Sequence, residues 1–286
     1  MPYFLRWASC AALVAIAWLP RASLAQTPSP MQEWQYSGGV ILARLFQPDL
    51  PEWRVIAGAA AEVQPIYDGA RAMKVEGGPV FNVYHKDDWF FSTGEGLGYN
   101  FVRGDHYQIG MALAYDQGRS VKDDETNLRG MGDIDSAPVA KLYGTVVLSK
   151  KFPLILRVAA RQFIGGAQGA VGDASVYTPL PGSSKTFVMF AGPSITMATK
   201  HYMQVEYGVD QQQSVQSGHP TYFFTRPGTT DAGVGFSATK FIGTHLLVNL
   251  DAAISQVRGD PANSPLIERR TQRVLALSME YHFERP

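Results

Sequence analysis

Six histidines, His85, His106, His201, His219, His245 and His282, are the side chains of this chain best suited to acid–base or metal chemistry. Their spacing serves neither. No His-x-x-x-His pair presents two imidazoles to one metal ion. No Gly-x-Ser-x-Gly string places a serine on a nucleophile elbow, and no histidine has a serine and a carboxylate beside it in a triad-like pattern. Five carboxylates crowd into residues 117–137: Asp123, Asp124, Glu125, Asp133 and Asp135. Calcium would be their natural ligand, but an EF-hand loop needs glycine sixth and glutamate twelfth, and neither is there. The cluster reads as a solvated loop, with Lys122 and Arg129 offsetting part of its charge. Gly94-Glu95-Gly96-Leu97-Gly98 has the glycine density of a phosphate loop without the helix that must follow it. These glycines suit a turn with positive φ.

A second set of charges is harder to dismiss. Lys141, Arg157, Arg161, Glu62, Glu206 and Glu280 all fall inside segments in which apolar and polar residues alternate. Successive side chains of a strand point to opposite faces. In 274–283, Leu275, Leu277, Met279, Tyr281 and Phe283 share one face, while Val274, Ala276, Ser278, Glu280 and His282 share the other. The same period runs through 107–116, 154–161, 202–209 and 245–254. Less regular members are 34–46, 53–65, 71–84, 88–94, 138–150, 186–198 and 231–241, giving twelve candidate strands.

From the fifth strand onward the connections alternate between long and tight. Residues 117–137, 164–185, 210–230 and 258–270 are long; Lys151-Phe152, Thr199-Lys200 and Ile242-Gly243 are tight. Transmembrane barrels show this asymmetry, with short periplasmic turns and long external loops. A soluble β-sandwich also alternates, but does not explain the connections. In lipid every backbone N–H and C=O must be paired, so the strands must close on themselves. The expected fold is therefore all-β: a closed antiparallel transmembrane barrel of about twelve strands. An Arg or Lys facing lipid near mid-bilayer would cost about 2–4 kcal/mol, so the six charges are assigned to the lumen.

The N-terminus has its own logic. Arg6 precedes an unbroken apolar run over 7–19, Pro20 breaks it, and Ser23-Leu24-Ala25 supplies small residues for a peptidase. Thirteen residues are too few for a spanning helix, which needs roughly 20; the pattern is that of a signal peptide. Cleavage is expected between Ala25 and Gln26, leaving residues 26–286 as the barrel. Cys10, the single cysteine, lies within the signal, so the mature chain has no thiol for disulfide, metal or nucleophilic chemistry. The whole chain carries 25 basic and 25 acidic residues, and loss of Arg6 and Arg21 leaves it slightly acidic. That balance argues against a nucleic-acid partner. No cofactor motif is present.

Several strings, in order, carry a resemblance. They are Pro65-Ile66-Tyr67-Asp68-Gly69, Gly94 to Gly98, Ala114-Tyr115-Asp116-Gln117-Gly118-Arg119, Leu128-Arg129-Gly130-Met131-Gly132-Asp133-Ile134, Asp260 to Leu266, and Tyr281-His282-Phe283. Together they resemble the MipA/OmpV family of outer-membrane proteins, MltA-interacting protein and its relatives. The resemblance implies a cell outer-membrane barrel of a Gram-negative bacterium, surrounded by outer-membrane lipid. It also implies a non-enzymatic scaffolding role that links a murein transglycosylase to a peptidoglycan synthase. The partner surface would be the periplasmic rim or residues 26–33. The residues themselves leave two other readings open: a small-solute channel with Arg157 and Arg161 facing the lumen, and a lipid-modifying barrel enzyme.

Overall fold

The computed structural model describes residues 51–86, 88–148, 154–184 and 186–285. The signal segment with Ala25 and Gln26, the stretch 26–33, the expected strand 34–46 and the Lys151-Phe152 turn lie outside them. Twelve strands form one closed antiparallel barrel, in which each pairs with its neighbours in sequence and β1 with β12. They are β1 (Trp53–Pro65), β2 (Met73–His85), β3 (Trp89–Ser92), β4 (Gly96–Arg103), β5 (Tyr107–Asp116) and β6 (Ala137–Val147). β7 (Ile155–Phe163), β8 (Gly169–Pro179), β9 (Phe187–Ala198), β10 (Gly228–Ile242), β11 (Leu246–Val257) and β12 (Thr271–Arg285) complete the wall.

Alternation decides which way each residue faces. Along β7, Ile155, Arg157, Ala159, Arg161 and Phe163 are buried, while Val158 is 58% exposed. Along β12, Leu275, Leu277, Met279, Tyr281 and Phe283 are exposed, and Gln272, Ser278 and Glu280 are buried. An apolar outside around a polar inside inverts a soluble protein, and the exposed rows on most strands require hydrocarbon as their solvent. Aromatics gather at the short-turn end of the wall. Trp53 meets Trp89 edge-on at 5.4 Å and His85 at 4.7 Å. His245 stacks on Tyr281 at 5.4 Å, and Phe283 lies 4.7 Å from Tyr281. This is the belt expected where hydrocarbon meets water.

The three longest connections share one end of the barrel. Residues 117–136, 199–227 and 258–270 stand at one end with the shorter 66–72 and 164–168; 86–88, 104–106, 148–154, 180–186 and 243–245 close the other. Both β1 and β12 have their free ends at the short-turn side, the periplasmic side in barrels of this kind.

The count of strands agrees with the sequence, but its membership does not. Residues 202–209 are not a strand: α1 (Lys200–Tyr207) is a helix, followed by α2 (Gln211–Ser217). Met203, Val205, Tyr207 and Val209 satisfy a period of two, but Met203 and Tyr207 are also an i, i+4 pair, and these two are the helix's buried residues. Thr199-Lys200 is accordingly the start of a helix at the loop end rather than a tight periplasmic turn, and His201 and Tyr202 stand at that end too. Two strands were hidden. β8 lies inside the expected long loop 164–185, because its outward face is Ala170, Gly172, Ala174 and Val176, with little apolar contrast against Val171, Asp173, Ser175 and Tyr177 inside. β4 lies where the glycine run suggested only a turn. Gly98 is needed there because a Cβ would stand 2.1 Å from the Phe90 ring.

The wall has one notch. The β3–β4 hairpin turns at 93–95, and its last pair with β2 is Asn82–Ser92. β2 continues to Met73, paired along its whole length with β1 but with no described strand on its other edge over 73–81. Thr93 donates its backbone N–H to the Phe81 carbonyl at 3.1 Å, and the Phe81 N–H donates to Thr93 Oγ1 at 3.2 Å, as the final links. Pro79, which has no N–H to leave unpaired, sits on that edge two residues further up.

Candidate functional site

The interior is built in two storeys. At mid-height, inward positions of β4 to β8 carry a polar network. Lys141 Nζ lies 3.4 Å from Glu95 Oε2, with both side chains almost fully buried at 3% and 0% exposure. Tyr143 Oη donates to Asn100 Oδ1, and Gln108 Nε2 donates to the same oxygen at 2.6 Å. The guanidinium of Arg157 lies 5.6 Å from the Tyr143 ring centre, close enough for cation–π attraction. Gly110 makes room for this group, since a Cβ there would stand 2.4 Å from both Asn100 Oδ1 and Tyr143 Oη. Arg161 pairs with Asp173 across the β7–β8 register at 2.8 Å. On the opposite wall Asn249 Nδ2 donates to Asp251, Thr239 Oγ1 donates to Asn249 Oδ1 at 2.6 Å, and Ser278 Oγ donates to Glu280 Oε1 at 2.8 Å. Buried charges are tolerable when paired and hydrogen-bonded: Lys141 and Arg161 have carboxylate partners, and Asp251 and Glu280 accept from Asn249 and Ser278.

Above it the loops form a cap. Met203 and Tyr207 of α1 pack with Phe224 on Val139, Phe163, Val171 and Ala198, which are inward-facing residues of β6 to β9. The helix therefore lies within the barrel mouth. Hydrogen bonds then stitch the loops together. Tyr207 Oη donates to Asp68 Oδ2 at 3.0 Å, and Ser264 Oγ to the Tyr207 carbonyl at 2.6 Å. Gln213 Nε2 donates to the Met131 carbonyl at 2.7 Å, and Tyr222 Oη to the Asp260 carbonyl at 2.8 Å. α2 is fixed by a reciprocal capping box between Asp210 and Gln213.

Between network and cap lies a cavity of about 190 Å³. Its lining includes the carboxylates of Asp68, Asp116, Glu206 and Asp231, the guanidiniums of Arg119 and Arg161, and the rings of Tyr67, Tyr202 and Tyr207. Arg119 Nη1 donates to the Glu206 carbonyl at 2.7 Å and stands 3.9 Å from its carboxylate. Burial pushes the Glu206 carboxyl up to about 7 despite Arg119. Burial also raises Asp68, against the hydrogen bond from Tyr207 and the charges of Arg161 and Arg119.

The six charges singled out in the sequence are distributed over both storeys. Lys141, Arg157, Arg161 and Glu280 are buried strand residues of the interior. Glu206 reaches the cavity from α1 rather than from a strand. Glu62 is half-buried and stands in register beside Glu76 of β2. Their partners Glu95, Asp173, Asp68 and Asp231 had not been singled out. Asp173 was masked by the weak apolar contrast along β8, and Glu95 by its flanking glycines.

Two of the loop carboxylates and two of the histidines weighed for catalysis or metal binding are engaged elsewhere. Asp124 accepts from the backbone of Thr126 and Asn127, and Asp133 from Val121 N at 2.6 Å. His219 Nε2 contacts the Asn127 carbonyl at 2.9 Å, and His201 contacts Gln168 at 2.8 Å. Among the described residues no group of three or more His, Cys, Asp and Glu side chains could hold a metal ion.

Solved structures similar to the chain include the CymD monoaromatic hydrocarbon channel, 10% identical over 87% of this chain and 93% of that one, TM-score 0.40. The translocator domain of the autotransporter NalP from Neisseria meningitidis is 13% identical over 88% and 95%, TM-score 0.39. The Pseudomonas putida toluene transporter TodX is 10% identical over 84% and 93%, TM-score 0.35. Among curated protein sequences none matches. The family model for the MltA-interacting protein MipA matches residues 57–283, which takes in the wall from β1 to β12 and the cap. This twelve-stranded outer-membrane β-barrel belongs to the MltA-interacting protein MipA family.

Proposed function

We propose that this outer-membrane barrel is a non-conducting, non-enzymatic scaffold. It holds a murein-cleaving transglycosylase and a peptidoglycan synthase at its periplasmic end. One observation carries the non-conducting half: the interior is occupied twice over, by the Lys141–Glu95 and Arg161–Asp173 network at mid-height and by α1 packed into the mouth. An open pore would present a continuous water-filled lumen instead. The scaffolding half draws on the family's name, which describes interaction with a transglycosylase. The short turns, with the aromatic belt beside them, form the surface nearest the murein.

The test combines two measurements on the purified chain. Planar-bilayer recording is expected to give no steady conductance, and an immobilised barrel is expected to retain a lytic transglycosylase and a peptidoglycan synthase together. Steady single-channel current without retention of either enzyme would replace this reading with a second one, a channel for small polar solutes with Arg157 and Arg161 setting selectivity. The cavity beneath the cap favours that alternative, because it is a polar space a solute could enter.

A further inference from the structure

On β2, β5, β7 and β9 the outward residue nearest the loop end is uncharged: Met73, Tyr115, Gln162 and Met197. β11 and β12 differ. Arg273 is exposed at the top of the outward row that continues as Leu275, Leu277 and Met279, and it stands opposite Ile254 of β11. The register continues past both strands, since Gln256 is opposite Thr271 and the Val257 N–H donates to the Arg270 carbonyl at 2.7 Å. Arg258 and Arg269 are therefore set opposite each other, both exposed and both on the parity of the outward face. Like charges directly opposite on paired strands repel. The nearby carboxylates do not relieve them: Asp260 faces Arg226 at 3.6 Å, and Glu268 accepts the Arg71 backbone N–H at 3.0 Å. Among the described residues Arg258, Arg269 and Arg273 form no ion pair. Arg270 is turned to the loop, where it donates to the Ala262 carbonyl at 3.0 Å and to Asn263 Oδ1 at 3.1 Å.

We propose that this margin binds the headgroup of a bis-phosphorylated lipid of the outer leaflet, one phosphate shared by Arg258 and Arg269 and the second on Arg273. The planar guanidinium fork matches phosphate oxygens two at a time. A phosphate between Arg258 and Arg269 turns their repulsion into a bridge. Arg269 and Arg273 are four strand residues apart, about 13 Å, a separation suited to two phosphates on one headgroup. Directly below, the wall is apolar: Ile254, Leu275 and Leu277 are all exposed, and acyl chains hanging from the headgroup lie against side chains that already require hydrocarbon. That order, cations above and hydrocarbon below, fits a lipid better than a free anion, which gains nothing from Ile254 or Leu275. The level is right as well, because these arginines lie at the end opposite the periplasmic turns, where the outer leaflet meets water.

Native mass spectrometry of the chain refolded in non-ionic detergent micelles tests this. The probes are bis-phosphorylated lipid A, its monophosphorylated form, phosphatidylcholine and inorganic phosphate. One saturable adduct of the bis-phosphorylated lipid per barrel is expected, tighter than the monophosphorylated form and retained against equimolar inorganic phosphate. Joint replacement Arg258→Gln and Arg269→Gln should weaken it on the order of tenfold or more, the loss for charge-assisted hydrogen bonds to one phosphate. Arg273→Gln should erase the preference for two phosphates over one. Arg226→Gln removes a charge from the same end that already faces Asp260, and should leave the affinity unchanged. The gel mobility of unboiled sample identifies which variants are folded; should the double variant not fold, Arg273→Gln alone carries the test. The proposal is overturned if phosphatidylcholine or free phosphate binds as tightly as the bis-phosphorylated lipid. It is overturned equally by undiminished affinity in the folded double variant, by an undiminished two-phosphate preference in Arg273→Gln, or by an Arg226→Gln loss as large as the double variant's. None of these results depends on whether the barrel conducts or binds murein enzymes.

Discussion

Tyr207 and Asp68 are joined by a 3.0 Å hydrogen bond that crosses 139 positions of sequence and links the helix in the mouth to the short loop after β1. It is one of few side-chain bonds that fix α1 to the β1 side of the barrel, since the helix's apolar contacts are with β6 to β9. Tyr207→Phe keeps the ring, and therefore the packing, while deleting the donor. The loss expected for one such bond to a carboxyl group is about 1–2 kcal/mol. It should appear as faster amide exchange over residues 200–217, with exchange of β10 to β12 unchanged.

The cap should also respond to pH in a direction set by Glu206. Burial raises its carboxyl from an ordinary value of 4.5 to about 7 in the folded state. A raised folded-state value means that the native protein holds a proton the unfolded chain has released. Stability is then fully present below pH 4.5 and falls as pH rises toward 7. The loss is on the order of 2 kcal/mol. Exchange over 200–217, corrected for the intrinsic pH effect, should therefore be slower at pH 5 than at pH 7.5. Glu206→Gln should flatten that difference. A wild-type cap more protected at pH 7.5 would show that the carboxylate is welcomed there as an anion.

How much of this was legible in the sequence depends on whether a feature is local. The alternation of Tyr107 to Asp116 gives the bounds of β5 without correction, because each outward residue is large and apolar and each inward one is small or polar. β8 obeys the same geometry but writes it in alanine, glycine, valine and serine, so hydropathy does not register it. α1 satisfied the wrong period, since every i, i+4 pair is also an even spacing. The interior contacts were less accessible still. The parity of Arg157 and Arg161 is a property of β7 alone, whereas the pairing of Arg161 with Asp173 follows from the β7–β8 register. That of Lys141 with Glu95 depends on a hairpin tip 46 residues away. Asp68 and Glu206 meet the same cavity only because a loop folds back into the mouth.

Removing one partner of the Lys141–Glu95 pair should be costly in a way that surface pairs are not. Both side chains are almost wholly buried, and a buried carboxylate stripped of its cation forfeits attraction while keeping its desolvation penalty. Lys141→Met should destabilise the barrel by about 3–5 kcal/mol. Urea unfolding in detergent, followed by tryptophan fluorescence, would measure this. Adding Glu95→Gln to Lys141→Met should recover a large part of the loss, because the residual charge is gone. Equal destabilisation in the single and double variants would mean that packing, not charge, dominates at this level.

The notch beside β2 makes a prediction at single-residue resolution. Strand backbones alternate the edge toward which their N–H groups point, and Phe81 directs its own toward β3, where Thr93 Oγ1 accepts it at 3.2 Å. Met73, Val75 and Gly77 share that parity, so their amides face the edge along which no described strand lies, while Glu76 and Gly78 direct theirs toward β1. Pro79 removes the one donor nearest the hairpin tip, which lowers the cost of leaving the edge open. Amide exchange resolved by NMR in micelles should therefore alternate along β2, fast at Val75 and Gly77 and slow at Glu76 and Gly78. Over Asn82 to His85, where β3 covers the edge, the alternation should vanish and all amides should be slow. Uniform protection from Met73 to His85 would show that another backbone covers the notch, and that the wall is complete at full height.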